Sequence, residues 1–341
     1  MRKIKKNKLT IGLIISIIIL SVVSLFIGAY GITIDGLLSQ DSNQIMLMLS
    51  SRVPRLLAIL CTGMGMSIAG LIMQSLCMNK FVSPTTGATI SSAQLGIIIA
   101  LVFIPTASLA TRTAFAFITS IIGTWIFVWF IQTIKFKDVI MVPLIGIMFN
   151  SVIGGIVSYL AFENDLNQIL SNMLVGDFSL VLAGRYEIVF LIVPLVIISF
   201  IYANHFNIVG MGENFSKNLG VNYKLVMFGG LTISAVITAS VIVTVGTISY
   251  IGLIVPNIVA MFKGDKIKNN LIDVGLFGAL FVLVCDMVGR VVVHPYEMPI
   301  ELISGVIGSA LFIILLYKRL NVNKPRIKKN KIMNKGVINN G

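Results

Sequence analysis

Long apolar runs separated by short polar breaks dominate this chain. They lie near 10–31, 53–77, 88–105, 113–134, 139–161, 187–203, 224–245, 248–262, 272–293 and 297–317. A bilayer-spanning helix needs about 20 apolar residues, so the pattern predicts ten transmembrane helices. The runs are continuous and lack the period-2 alternation of a membrane barrel. The expected fold class is therefore an all-α polytopic membrane protein. The runs at 88–105 and 248–262 are short and broken by Gly, Pro or Ser, which leaves their edges open. The first apolar run exceeds the roughly 7–15 residues of a secretion-signal core and is read as a membrane helix.

Composition agrees with a lipid solvent. Of the 341 residues, 57% are hydrophobic and 11% charged, where a soluble domain carries about 25% charged residues. Charge then gives an orientation. With the N-terminus in the cytoplasm, ten spans return the C-terminus there, and 21 of the 26 Lys and Arg residues fall on the inner side. The outer side keeps Arg52, Arg55, Arg112, Arg185 and Arg290. This is the positive-inside asymmetry, and it places every lysine inside, including Lys135 and Lys137. The net charge of +13 is thus an inner-leaflet signal, not a nucleic-acid one. The chain is read as one transmembrane unit, 1–341, with basic cytoplasmic tails at 1–9 and 319–341.

Two segments echo each other. SRVPRLLAILCTGMGMSIAGLIMQ (51–74) followed by NKFVSPTTGA (79–88) is mirrored by GVNYKLVMFGGLTISAVITASVIV (220–243) followed by GTISYIGLIVPNIV (246–259). The first copy starts outside and the second inside, which predicts inverted repeats, a recurrent transporter plan. Two small-residue-rich spans can also look alike without such kinship. Gly63/Ser67, Gly65/Ala69, Gly230/Ser234 and Ala235/Ala239 are small-xxx-small pairs that permit close helix approach.

Candidate chemistry is sparse. No GxxxxGK[ST] phosphate loop, HExxH or GxSxG occurs, and the two histidines, His205 and His294, fall on opposite sides of the membrane. No metal site, bound cofactor or enzymatic activity is expected of this chain. Cys61, Cys77 and Cys285 read as packing residues. Asp286 lies four residues before Arg290, so the two can pair on one helix face, as a functional group or a structural ion pair. The inner connection 204–223 is too long for a tight turn. In it Asn214 is a candidate N-cap, Phe215 and Leu219 offer an apolar face, and Gly220 suits a helix stop. A partner-gripping helix and a plain loop helix fit equally.

The same segments carry a family resemblance. SRVPRLLAILCTGMGMSIAGLIMQSLCMNKFVSPTTGA, GTISYIGLIVPNIVAMFKGD and CDMVGRVVVHPYEMPIELISGVIGSALFIILL resemble ordered blocks of the permeases that import iron–siderophores and vitamin B12, the FecCD-type subunits of type II ABC importers. GENFSKNLGV resembles their cytoplasmic coupling segment. Asn257 stands where that pattern often has His, and Ser309 replaces a Pro. The KFVSPTT form looks like a Gram-positive branch handling petrobactin-type catecholate siderophores.

The resemblance implies a type II ABC importer permease fold with the path at a dimer interface. The second permease would be a paralogous chain or a second copy of this one. Two cytoplasmic ATPases that use ATP, and a lipid-anchored siderophore-binding protein outside, would complete the system. Arg52, Arg55 and Arg290 would dock that protein. Gly212, Glu213, Asn214, Phe215, Ser216, Lys217, Asn218, Leu219 and Gly220 would couple to the ATPase. Pro84, Thr85 and Pro256 would flank the gates, on loops near 80–86 and 247–256. The expected cargo is a ferric siderophore, with haem or vitamin B12 as other chelates. A proton-coupled secondary transporter and a non-transporting membrane scaffold are the competing classes.

Overall fold

The structure, a computed structural model, describes residues 2–28, 33, 35, 36, 39–134, 141–184, 186–264 and 266–322. Lys135, Lys137, Arg185 and the tail beyond 322 lie outside the described residues. Among those described, every regular element is helical.

Seven helices are long and apolar enough to cross a membrane, and three shorter apolar ones accompany them. Their order follows the ten predicted runs. The long set is α1 (Arg2–Phe26), α3 (Val53–Leu76), α5 (Leu109–Thr133), α6 (Met141–Glu163), α8 (Ile192–Val209), α10 (Tyr223–Thr244) and α12 (Ile267–Val291). The shorter helices are α4 (Thr89–Phe103), α11 (Ile251–Lys263) and α13 (Ile300–Val322), the last with an apolar stretch of Ile300–Ile314. Among the described residues there are also three short α-helices, α2 (Ser42–Leu47), α7 (Asn167–Leu174) and α9 (Glu213–Asn218), and a 3-10 turn at Glu187–Leu191. Helix continues from Arg2 and as far as Val322, into both stretches expected as tails.

Several boundaries have visible causes. The Ser108 hydroxyl accepts from the Thr111 N–H at 3.2 Å and starts α5. The Asn222 side-chain oxygen Oδ1 accepts from the Leu225 N–H at 3.1 Å and starts α10. Both leave the N-cap side chain holding an otherwise orphaned backbone donor. Pro54 sits in the first turn of α3, where its missing N–H costs nothing. A π-helical turn, Met48–Arg52, joins α2 to α3, so helix begins at Ser42, ahead of the run predicted at 53.

α3 and α10 form the centre. Of their apolar stretches 67% is buried, against 11% for α1 and 17% for α6. α3 packs on α10, α11 and α12, while α10 packs on α3, α4 and α5. Likewise α4 packs on α5 and α6, as α11 packs on α12 and α13. The helix pairings of 53–163 therefore recur in 223–322, with α3 and α10 running in opposite directions. Both short helices also start from a left-handed residue, Ala88 at φ 60° and Tyr250 at φ 68°. Inverted repeats are thus present in packing as well as in sequence.

Small residues set the spacing. A Cβ on Gly63 would lie 2.5 Å from the Gly278 carbonyl oxygen, and one on Gly70 would lie 1.9 Å from that of Gly252. The backbones of α3, α12 and α11 touch where a larger residue would hold them apart. Ser234, on α10, donates to the Ala69 carbonyl of α3 at 3.1 Å.

Candidate functional site

Three of the five arginines expected on the outer side, Arg52, Arg55 and Arg290, gather in one cluster. Arg52 ends the π-turn, Arg55 lies in the first turn of α3, and Asp286 and Arg290 share a face of α12. Arg55 donates from Nε (3.1 Å) and Nη2 (2.8 Å) to Asp286 Oδ1, and from Nη1 to Glu297 Oε2 at 2.5 Å. Arg290 Nη2 pairs with Asp286 Oδ2. Its Nη1 donates to the Ser24 and Ile27 carbonyls at 2.9 and 2.8 Å, and Nη2 also reaches Ser24 Oγ at 2.6 Å. Arg52 Nη1 donates to the same Ile27 carbonyl at 3.0 Å.

Their presentation differs from the expectation. Arg52 is 7% exposed, Arg55 6% and Arg290 3%, so none stands free on a surface. Buried charge must be paired and hydrogen-bonded, and Asp286 answers two guanidiniums at once. The ion pair expected between Asp286 and Arg290 is present as part of this larger network. Sequence reasoning missed Glu297 and the carbonyls at the end of α1. Glu297 follows Arg290 by seven residues but across a helix break, so no helical spacing could have revealed it.

A second ionic group lies at the opposite end of α12. Lys263 pairs with Asp273, and Thr10 on α1 donates to Asp273 Oδ1 at 2.6 Å. This group was not foreseen.

The segment expected to couple is a short helix with two glycine ends. Gly212 precedes α9 at φ 107°, not the predicted cap Asn214, which lies inside the helix. Gly220 stops it at φ 71°. Its N–H bonds to the Lys217 carbonyl and that of Val221 to the Ser216 carbonyl, both at 3.0 Å. These two bonds form a Schellman ending. The Ser216 hydroxyl is turned inward to the Gly212 carbonyl at 2.8 Å, and Lys217 pairs with Glu213 at 2.9 Å on the surface. Phe215 and Leu219 are exposed.

The two loops expected to flank the gates are brought together. Pro256 lies inside α11 and has no N–H for the Gly252 carbonyl one turn back. Gln74 of α3 supplies the missing donor, with Nε2 at 3.1 Å from the Gly252 oxygen. Asn257 Nδ2 donates to the Lys80 carbonyl at 2.9 Å. Thr85 is held by its carbonyl, which accepts from Asn150 Nδ2 at 2.7 Å, and Pro84 packs beside Gly252. Beside them lies a half-open cavity of about 300 Å³, where Gln74, Asn79, Asn207, Asn257 and Asn270 meet apolar side chains such as Leu71 and Ile267, and which continues to Gly210 and Met211 ahead of α9.

Residues 15–318, almost the whole helical bundle, match the FecCD transport family. The chain belongs to that family. It is 45% identical over 307 residues to the petrobactin import system permease protein YclN of Bacillus subtilis, covering 90% of this chain and 97% of the relative. It is 36% identical to the ferric-anguibactin transport system permease protein FatD of Vibrio anguillarum, covering 91% and 99%. Among solved structures, a metal-chelate type ABC transporter in an inward-facing conformation superposes with a TM-score of 0.78 at 26% identity, covering 92% of this chain and 99% of that one. The arginine cluster, α9 and the paired loops all fall inside the matched part of this FecCD family member.

Proposed function

We propose that this chain is a permease subunit of an ATP-driven ABC importer for ferric siderophores of the petrobactin type. The observation that carries this reading is the 45% identity to a petrobactin permease across 90% of the chain. A second permease subunit would pack against this one and enclose the path.

In this scheme both termini are cytoplasmic and the lysine-bearing end of the bundle meets two ATPases. The exposed Phe215 and Leu219 of α9, within 212–220, would be gripped there, and the cavity beside Met211 would let that segment move. A lipid-anchored binding protein would dock at the other end over Arg52, Arg55 and Arg290, whose planar forks suit carboxylates. Movement of α9 would shift one repeat against the other, and the loops carrying Pro84, Thr85 and Pro256 would open or close with it. No cofactor is required of this chain, since ATP belongs to the partner.

The test is uptake in a strain lacking this permease, with iron-labelled petrobactin, iron-labelled haem and cobalt-labelled vitamin B12 offered separately. Restoration of ferric petrobactin uptake by the plasmid-borne chain supports the reading. Restoration with haem or vitamin B12 alone would replace the substrate, and uptake driven by a proton gradient without ATP would replace the mechanism.

A further inference from the structure

Among the described residues, the arginine cluster holds three guanidiniums against two carboxylates, Asp286 and Glu297, and the two carboxylates are not equivalent. Asp286 is 3% exposed and divides its oxygens between Arg55 and Arg290. Removing it would strand two buried cations, the costly way to break such a network. The Glu297 side chain is 22% exposed and reaches Arg55 Nη1 through Oε2 at 2.5 Å. It sits on the link between α12 and α13, where Val292, Val293 and Tyr296 are all exposed.

An incoming acidic group cannot simply add to Arg55, which is only 6% exposed. It has to take the place of a group already there. Glu297 is the one carboxylate of the pair that already meets solvent and can turn fully into it. Exchanging one carboxylate for another keeps the guanidinium paired throughout, so no buried charge is left bare on the way.

We infer that Glu297 is a placeholder: it occupies the position on Arg55 that an acidic side chain of the binding protein takes on docking, and it thereby sets how tightly that protein binds. This rests on the docking role proposed above for Arg52, Arg55 and Arg290. Glu297 lowers affinity by competing, and it keeps the cluster closed when no partner is present. Competition of this kind weakens attachment of acidic partners generally, which is a source of selectivity as well as reversibility.

The experiment measures binding of the siderophore-binding protein of the same uptake system, expressed without its lipid anchor, to the assembled importer in lipid nanodiscs. Glu297→Gln removes the competing charge and raises the positive surplus of the cluster. It is expected to tighten binding about three- to tenfold at low salt, with the gain shrinking as ionic strength rises. Arg52→Glu is run alongside as a check on docking itself and is expected to weaken binding. If Arg52→Glu weakens binding while Glu297→Gln leaves it unchanged or weaker, the placeholder role is overturned and docking stands. If neither variant changes binding, docking at this cluster is wrong and the placeholder falls with it. Should Glu297→Gln fail to fold, Glu297→Asp, which keeps the charge but shortens the reach, decides the matter by the same sign.

Discussion

Asp286 is the residue on which most of the polar structure turns. It neutralises Arg55 and Arg290, and Arg290 in turn holds the end of α1. Breaking a buried ion pair from one side costs about 3–5 kcal/mol, so Asp286→Ala should lower the detergent-solubilised unfolding midpoint sharply. Glu297→Gln should lower it much less, because that side chain is partly solvated. Gln74 makes a related case without charge. Gln74→Leu leaves the Gly252 carbonyl without a donor, and an orphaned buried acceptor costs about 1–3 kcal/mol. The same thermal measurement checks it, and Pro256→Ala in the Gln74→Leu background should recover part of the loss by restoring an N–H. The pairing of Asp286 with Arg290 was legible in the sequence because helical spacing encodes it. The roles of Glu297, Gln74 and Thr10 were not, since each meets a partner from a distant element and no local period records such meetings.

At the scale of elements, hydrophobic runs located all ten apolar helices, including the two short ones whose edges were left open. What they missed were pieces whose apolar content is modest. α7 reads as polar, yet Leu170 is buried in a cluster with α4 and α6 while Ile169 and Met173 pack on a neighbouring cluster from α4, α5 and α10, an amphipathic strip rather than a run. α9 was anticipated as a helix but with the wrong start, because Gly212 at positive φ sets the N-terminus in place of a polar cap. Its exposed face gives a clean test. Phe215→Glu with Leu219→Glu should leave the permease folded, as neither side chain is buried, while co-purification with its ATPase is lost. Retained co-purification would remove the coupling role. Gly63→Ile tests packing instead. It should drive α3 from α12 and reduce folded yield in the membrane, where Ala at the same place is tolerated less badly.

For the whole molecule, the repeated pairing of helices is the central fact. Two copies of one packing scheme, one turned over, give a body whose halves can rock without either half being rebuilt. The orientation reading places residue 214 in the cytoplasm and the arginine cluster outside. A cysteine introduced at Asn214 should therefore resist an impermeant thiol reagent in intact cells and react once the membrane is opened. Uptake in reconstituted vesicles should require both ATP and binding protein. The repeats could be proposed from the sequence because small residues and prolines recur in order. Which helix packs on which could not, since lipid-facing and protein-facing positions are equally apolar in a membrane chain.

The fastening of α1 bears on how the protein is made. Ser24 and Thr10 belong to α1, yet their partners Arg290 and Asp273 lie 266 and 263 residues later. At ordinary translation speeds that is a wait of roughly 15–50 s. During that interval α1 is in the bilayer without either clasp, and Arg55 is there without its carboxylates. A nascent chain halted before residue 286 thus carries in α3 a cation whose two carboxylate partners have not yet been made.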